Sequence, residues 1–133
     1  MLTKQWLPGM AFGIVVSASS AYAIVTEDNF LLRNSGDLVE VCSAVQSDPL
    51  FTAARNFCDG FVLSVFRVLQ EENLAQNSSS KRLFCEPNPA STRNEAIASF
   101  VQWVNADAGR MALPATDGIA QFLSQRYPCS GGH

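Results

Sequence analysis

Four cysteines, Cys42, Cys58, Cys85 and Cys129, constrain this chain more than any other feature, because each disulfide fixes two distant points of the backbone at once. Whether they pair depends on the compartment. Lys4 gives a short positive start, Trp6 to Val16 is apolar, and Ser17 to Ala23 is small and weakly polar, ending in Ala21-Tyr22-Ala23. That is the pattern of a secretory leader, with cleavage expected between Ala23 and Ile24. An amphipathic or spanning N-terminal helix is the competing reading. Pro8-Gly9 interrupts the stretch, which is also shorter than the roughly 20 residues a bilayer needs. No second run of spanning length follows, so the mature product is expected to have no membrane segment. Ile24 rather than Cys follows the cleavage site, so no lipid anchor is expected.

Export makes the cysteine count meaningful. An even number in an oxidising compartment predicts two disulfides and no free thiol. Zinc is the alternative, but zinc ligands usually include a close pair, and here neighbouring cysteines are at least 16 positions apart. No metal or other cofactor is expected.

With 133 residues, 47% of them apolar, the chain supports one domain with a modest core over residues 24–133. Losing Lys4 leaves eight basic against twelve acidic residues, a net charge of −4. No basic run exceeds Lys81-Arg82, so nucleic acid is excluded as a partner.

Helical periodicity dominates the rest. Asn34 or Ser35 can cap a first helix in which Leu38, Val41, Cys42 and Val45 share a face, running to about Gln46. Asp48 as N-cap and Pro49 as first helical residue predict a second start, with Phe51, Ala54, Cys58, Phe61, Val65 and Leu69 in register. Phe57, Val62 and Phe66 widen that face, which reads as a central core helix rather than a ligand pocket. Gly60 in its middle suggests a neighbour packed closely on the backbone.

From Glu71 the pattern fades into a long polar connection that includes Gln76, Asn77, Ser78, Ser79, Ser80, Lys81 and Arg82 and ends past Pro87 and Pro89. Thr92-Arg93-Asn94-Glu95 is a capping box for a third helix carrying Ile97, Phe100, Val101 and Val104 and ending by Gly109. Pro114 starts a fourth, which Pro128 stops. No strand-like alternation occurs. The fold class is therefore all-α, a small four-helix bundle-like domain with antiparallel neighbours, stapled by two disulfides.

This architecture selects the pairing. Cys42 ends the first helix and Cys58 lies two to three turns into the second, level with it in a hairpin. Cys85 precedes the third helix and Cys129 follows the fourth, so they too are neighbours. Pairing Cys42 with Cys58 and Cys85 with Cys129 contributes about 3–4 kcal/mol each in the chain-entropy model.

Groups that could do chemistry are sparse. The one histidine, His133, is terminal, and the adjacent acids Glu71 and Glu72 sit at a helix end, where carboxylates are usually just solvated. No glycine-rich phosphate loop is present. A binding protein is expected, not an enzyme.

Gly36-Asp37-Leu38 before Cys42, Cys58-Asp59-Gly60-Phe61, Phe84-Cys85-Glu86-Pro87 and Tyr127-Pro128-Cys129 together resemble the Rap/Tai immunity proteins of type VI secretion over residues 30–129. The chain departs from the usual pattern in its longer, serine-rich connection before Cys85. The resemblance implies a small periplasmic helical domain, often a homodimer, that binds and blocks a secreted cell-wall (peptidoglycan) amidase. Two other readings stay open for such a domain. One is a small disulfide-bonded periplasmic chaperone, which would need basic flexible ends that this chain lacks. The other is an exported structural protein.

A partner surface must protrude to reach a cleft-shaped hydrolase. The connection from Gln76 to Arg82 is the first expectation and the turn from Asp107 to Arg110 the second, with Arg110 reaching for an acidic rim.

Overall fold

The computed structural model of the chain describes residues 13–14, 24–78 and 81–130. Apart from Gly13 and Ile14, the expected leader lies outside the described residues, including Ala23 at the cleavage site. A 3-10 helix, Glu27–Leu31, precedes α1 (Ser35–Cys42), α2 (Phe51–Leu74), α3 (Arg93–Asn105), α4 (Ala108–Met111) and α5 (Ala115–Arg126). No strand occurs among the described residues. The architecture is all-α with two disulfides, Cys42–Cys58 and Cys85–Cys129.

Asn34 caps α1 by accepting the Asp37 N–H at 3.0 Å. The helix stops at Cys42, a turn earlier than its apolar periodicity suggests, because the chain turns to bring Asp48 inward. Asp48 is buried and uses both carboxylate oxygens, one accepting the Val25 N–H at 2.7 Å and the other the Leu50 N–H at 2.8 Å. It therefore acts just ahead of the helix, and α2 begins at Phe51 rather than at Pro49. The connection from 43 to 50 is longer than a tight hairpin turn, yet it still levels the two cysteines, with Cα atoms 5.2 Å apart.

The centre of the molecule is α1. Six of its eight residues are buried, and it packs against the 3-10 helix and all four other α-helices. The long α2, expected at the centre, buries only Ala54, Cys58 and Asn73, while Phe57, Phe61, Val62, Val65, Phe66 and Leu69 are half-covered. A broad apolar face signals contact with something, but periodicity does not say how completely neighbours cover it.

Gly60 differs from its expected role. A Cβ there would meet nothing within 4 Å, whereas the close approach occurs at Gly118 of α5, where a Cβ would lie 2.1 Å from Ser35 Oγ. Ser35 is fully buried, donates its N–H to Leu113 O at 2.7 Å, and so seats the start of α1 on the start of α5.

The capping box at Thr92 forms as expected, with Thr92 Oγ1 accepting from Glu95 N and Glu95 Oε2 from Thr92 N. The segment from Asp107 to Arg110, expected as a turn, starts the short helix α4, with Asp107 Oδ1 capping it through Gly109 N at 2.8 Å. Beyond it α5 crosses α3. Phe122 meets the rings of both Phe100 and Trp103, and Trp103 Nε1 donates to Gln125 Oε1 at 3.1 Å.

Candidate functional site

The connection after α2 is polar and exposed, but its base is fixed. Asn73, buried in the last turn of α2, donates to Phe84 O at 2.8 Å and accepts the Leu83 N–H at 2.8 Å. One amide thus satisfies a donor and an acceptor of a returning strand-like segment, as a neighbouring backbone would. Gln70 donates to Glu86, Cys85 N donates to Tyr127 O at 2.8 Å, and the Cys85–Cys129 bridge closes the same end. Above this base Gln76, Asn77, Ser78, Lys81 and Arg82 are all exposed, and Lys81 N donates to Ser78 O. Ser79 and Ser80 lie outside the described residues.

The second expected surface is differently employed. Asp107 caps α4, and Arg110 donates to Trp103 O at 2.7 Å with its guanidinium 4.2 Å above the Trp103 ring. Arg110 is committed to its own fold rather than extended towards an acidic partner. The two surfaces sit on different elements, one after α2 and one after α3.

The remaining motif residues have mostly structural work. Asp37 accepts Arg33 Nε at 2.9 Å, Arg33 Nη2 at 3.1 Å, the Arg33 N–H and the Asn29 amide, tying the 3-10 helix to α1. The Arg33 guanidinium holds the Asp37 carboxyl below the usual carboxylate range, against the opposing effect of partial burial. Asp59 faces Arg93 at 3.6 Å, and its Oδ1 is buried without a hydrogen-bond partner. Glu71 and Glu72 are exposed on the last turns of α2, and His133 lies outside the described residues.

Sequence reasoning missed a groove of about 300 Å3 between α2, the 84–91 segment and the α3/α5 pair. Phe66, Phe84, Phe100, Ile119 and Phe122 give it apolar walls. The widened face of α2 packs against the core through Phe57, Val62 and Phe66, as a core-facing helix does, and leaves Val62 and Phe66 also lining this groove. Among the described residues no helix is long and apolar enough to cross a membrane, and no three His, Cys, Asp or Glu side chains gather as metal ligands would.

A family model of Rap1a immunity proteins matches residues 34–129, a span that contains all four cysteines, the Asn73 clasp and the groove. No curated protein and no solved structure matches the chain. Taken over nearly three quarters of its length, from the Asn34 cap to the last cysteine, this chain belongs to the Rap1a immunity protein family.

Proposed function

We propose that this protein is exported to the periplasm, loses residues 1–23, and there binds and blocks a cell-wall amidase delivered by type VI secretion. The observation that carries the reading is the match to immunity proteins across both disulfides. Immunity implies a secreted effector; the amidase class and the compartment rest on the leader pattern and on the resemblance of the cysteine motifs. The proposed contact surface is the connection from Gln76 to Arg82. Its support is that Gln76, Asn77, Ser78, Lys81 and Arg82 are exposed next to a base held by Asn73 and by Cys85–Cys129, which lowers the ordering cost of binding. A homodimer through the outer face of α2, where Val68 and Leu74 are exposed, would present two such surfaces together.

The test is to produce the protein with candidate type VI secreted cell-wall amidases and to measure protection and affinity. Replacing Gln76 to Ser80 by a glycine-serine turn should keep the helical spectrum and melting temperature while weakening the complex. Unchanged affinity would remove this surface from the interface. Protection should survive Glu71→Ala, Glu72→Ala and His133→Ala, because inhibition by binding assigns them no reaction.

A further inference from the structure

We infer, on the proposed loss of residues 1–23, that Asp48 is the receiving site for the α-ammonium created at Ile24, so that processing supplies the cation a buried carboxylate lacks. The pairing concerns the stability of the mature fold and is independent of which effector the protein binds.

Asp48 is 7% exposed and lies in the connection between α1 and α2. Its Oδ2 accepts the Val25 N–H at 2.7 Å and its Oδ1 the Leu50 N–H at 2.8 Å. A carboxylate offers about four acceptor positions, so about two remain open. Among the described residues no Lys or Arg lies within ion-pair distance of it. Neutral donors offset only part of the cost of burying a carboxylate, and a cation offsets more.

Covalent geometry places that cation. Backbone dimensions keep the nitrogens of consecutive residues within about 3.7 Å of each other. The Ile24 nitrogen is therefore held within about 6.5 Å of Asp48 Oδ2, whatever the torsions between them. Val25 is 3% exposed and the Thr26 N–H donates to Asn29 at 2.9 Å, so the chain after Ile24 is fixed and its nitrogen cannot swing away. Ile24 itself is exposed, which leaves the nitrogen free to turn towards the carboxylate. In the uncut chain this nitrogen is a neutral amide with one hydrogen. Hydrolysis breaks the Ala23–Ile24 C–N bond, leaves the oxygen of water on the Ala23 carboxylate and puts both its hydrogens on the Ile24 nitrogen, which becomes an ammonium with three donors. Glu27 and Asp28, exposed in the first turn of the 3-10 helix, are the rival anions. They are solvated, whereas Asp48 is buried and already fixed to the next residue of the chain.

The test uses protein exported through its own leader. Mass measurement reports the cut, and a start other than Ile24 overturns the processing reading and the pairing with it. With Ile24 first, melting reports the pair alone. Lys81 carries the only other amine after residue 23, so in Lys81→Arg an acetylating reagent modifies the α-amine alone. The acetyl group takes the place that the Ala23 acyl group holds in the uncut chain, so it removes charge without crowding. At about pH 6, where an α-amine is protonated, acetylation should lower the melting temperature by about 3 °C, the scale of a partly exposed ion pair in a domain of this size. With Asp48→Asn added, acetylation should change it by less than about 1 °C. Asp48→Asn also gives up one of two backbone acceptors, so a second background, Glu27→Gln with Asp28→Asn, leaves the clasp intact. There the loss of about 3 °C should persist. A loss that disappears in that background assigns the ammonium to the 3-10 helix and overturns the pairing. Equal melting of the acetylated and free chains, the result for a terminus that stays in water, overturns it as well.

Discussion

At position 118 nothing larger than hydrogen fits, because the buried Ser35 hydroxyl occupies the space a methyl would need. Gly118→Ala should therefore cost about 2 kcal/mol or more by overpacking, and combining it with Ser35→Gly should recover part of the loss. Gly60→Ala should do the opposite, stabilising by about 1 kcal/mol, since the site is open and alanine is the better helix former. Urea denaturation of the three variants decides both signs. Asp37 is the other sensitive residue. Its carboxyl, and that of Glu95 held by the Thr92 N–H and hydroxyl, titrate lower in the folded chain than in the unfolded one. They stabilise the protein above the usual carboxylate range, and this contribution fades as the pH falls below about 4. Asp37→Asn should cost about 1–2 kcal/mol at neutral pH, a figure discounted because Arg33 is more than half exposed, and should flatten the acid-side loss of stability. Denaturation midpoints across an acid pH series measure it.

Among the elements, the segment returning from α2 depends on one side chain. Asn73→Ala would leave the Leu83 N–H and the Phe84 carbonyl without their partner, at about 2 kcal/mol. Hydrogen exchange at the Leu83 amide should accelerate while exchange in α1 stays slow, because the base of the connection opens without unfolding the centre. Equal acceleration in both would show that the clasp belongs to the global core. This element was only half legible. The polar composition from Gln76 to Arg82 announced an exposed connection, but Asn73 reads in sequence as an ordinary polar residue at a fading helix end. Its role exists only once Leu83 and Phe84 are folded back against it. The capping box at Thr92 was fully legible, since both partners lie three residues apart. The short helix α4 was not, since Asp107 and Gly109 read equally well as a turn.

For the whole molecule the two bridges differ in reach. Cys42–Cys58 closes 16 residues and Cys85–Cys129 closes 44, so removing them should cost about 3 and 4 kcal/mol respectively in the chain-entropy model. Paired Cys→Ser variants compared by thermal melting test the order. The Cys85Ser/Cys129Ser pair should also loosen the 84–91 segment that walls the groove, whereas the Cys42Ser/Cys58Ser pair should leave that wall in place. A smaller drop in melting temperature on removing the longer loop's bridge than on removing the shorter one's would show that native contacts, rather than chain entropy, set the ranking.

What the sequence determined by itself was local or topological. The all-α class follows from periodicity, the first helix start at Asn34 or Ser35 and the Thr92 capping box from local residue types, and the cysteine pairing from helix order, because a hairpin and a closing terminus leave few ways to bring the sulfurs together. What only the tertiary structure decided was coverage. Whether α1 or α2 is central, which glycine is crowded, whether Arg110 is free or stacked on Trp103, and how fully the wide apolar face of α2 is covered all depend on the angle at which distant helices meet. Apolar periodicity fixes which face of a helix must leave water, but the amount of that face a neighbour covers is set by packing across the whole chain.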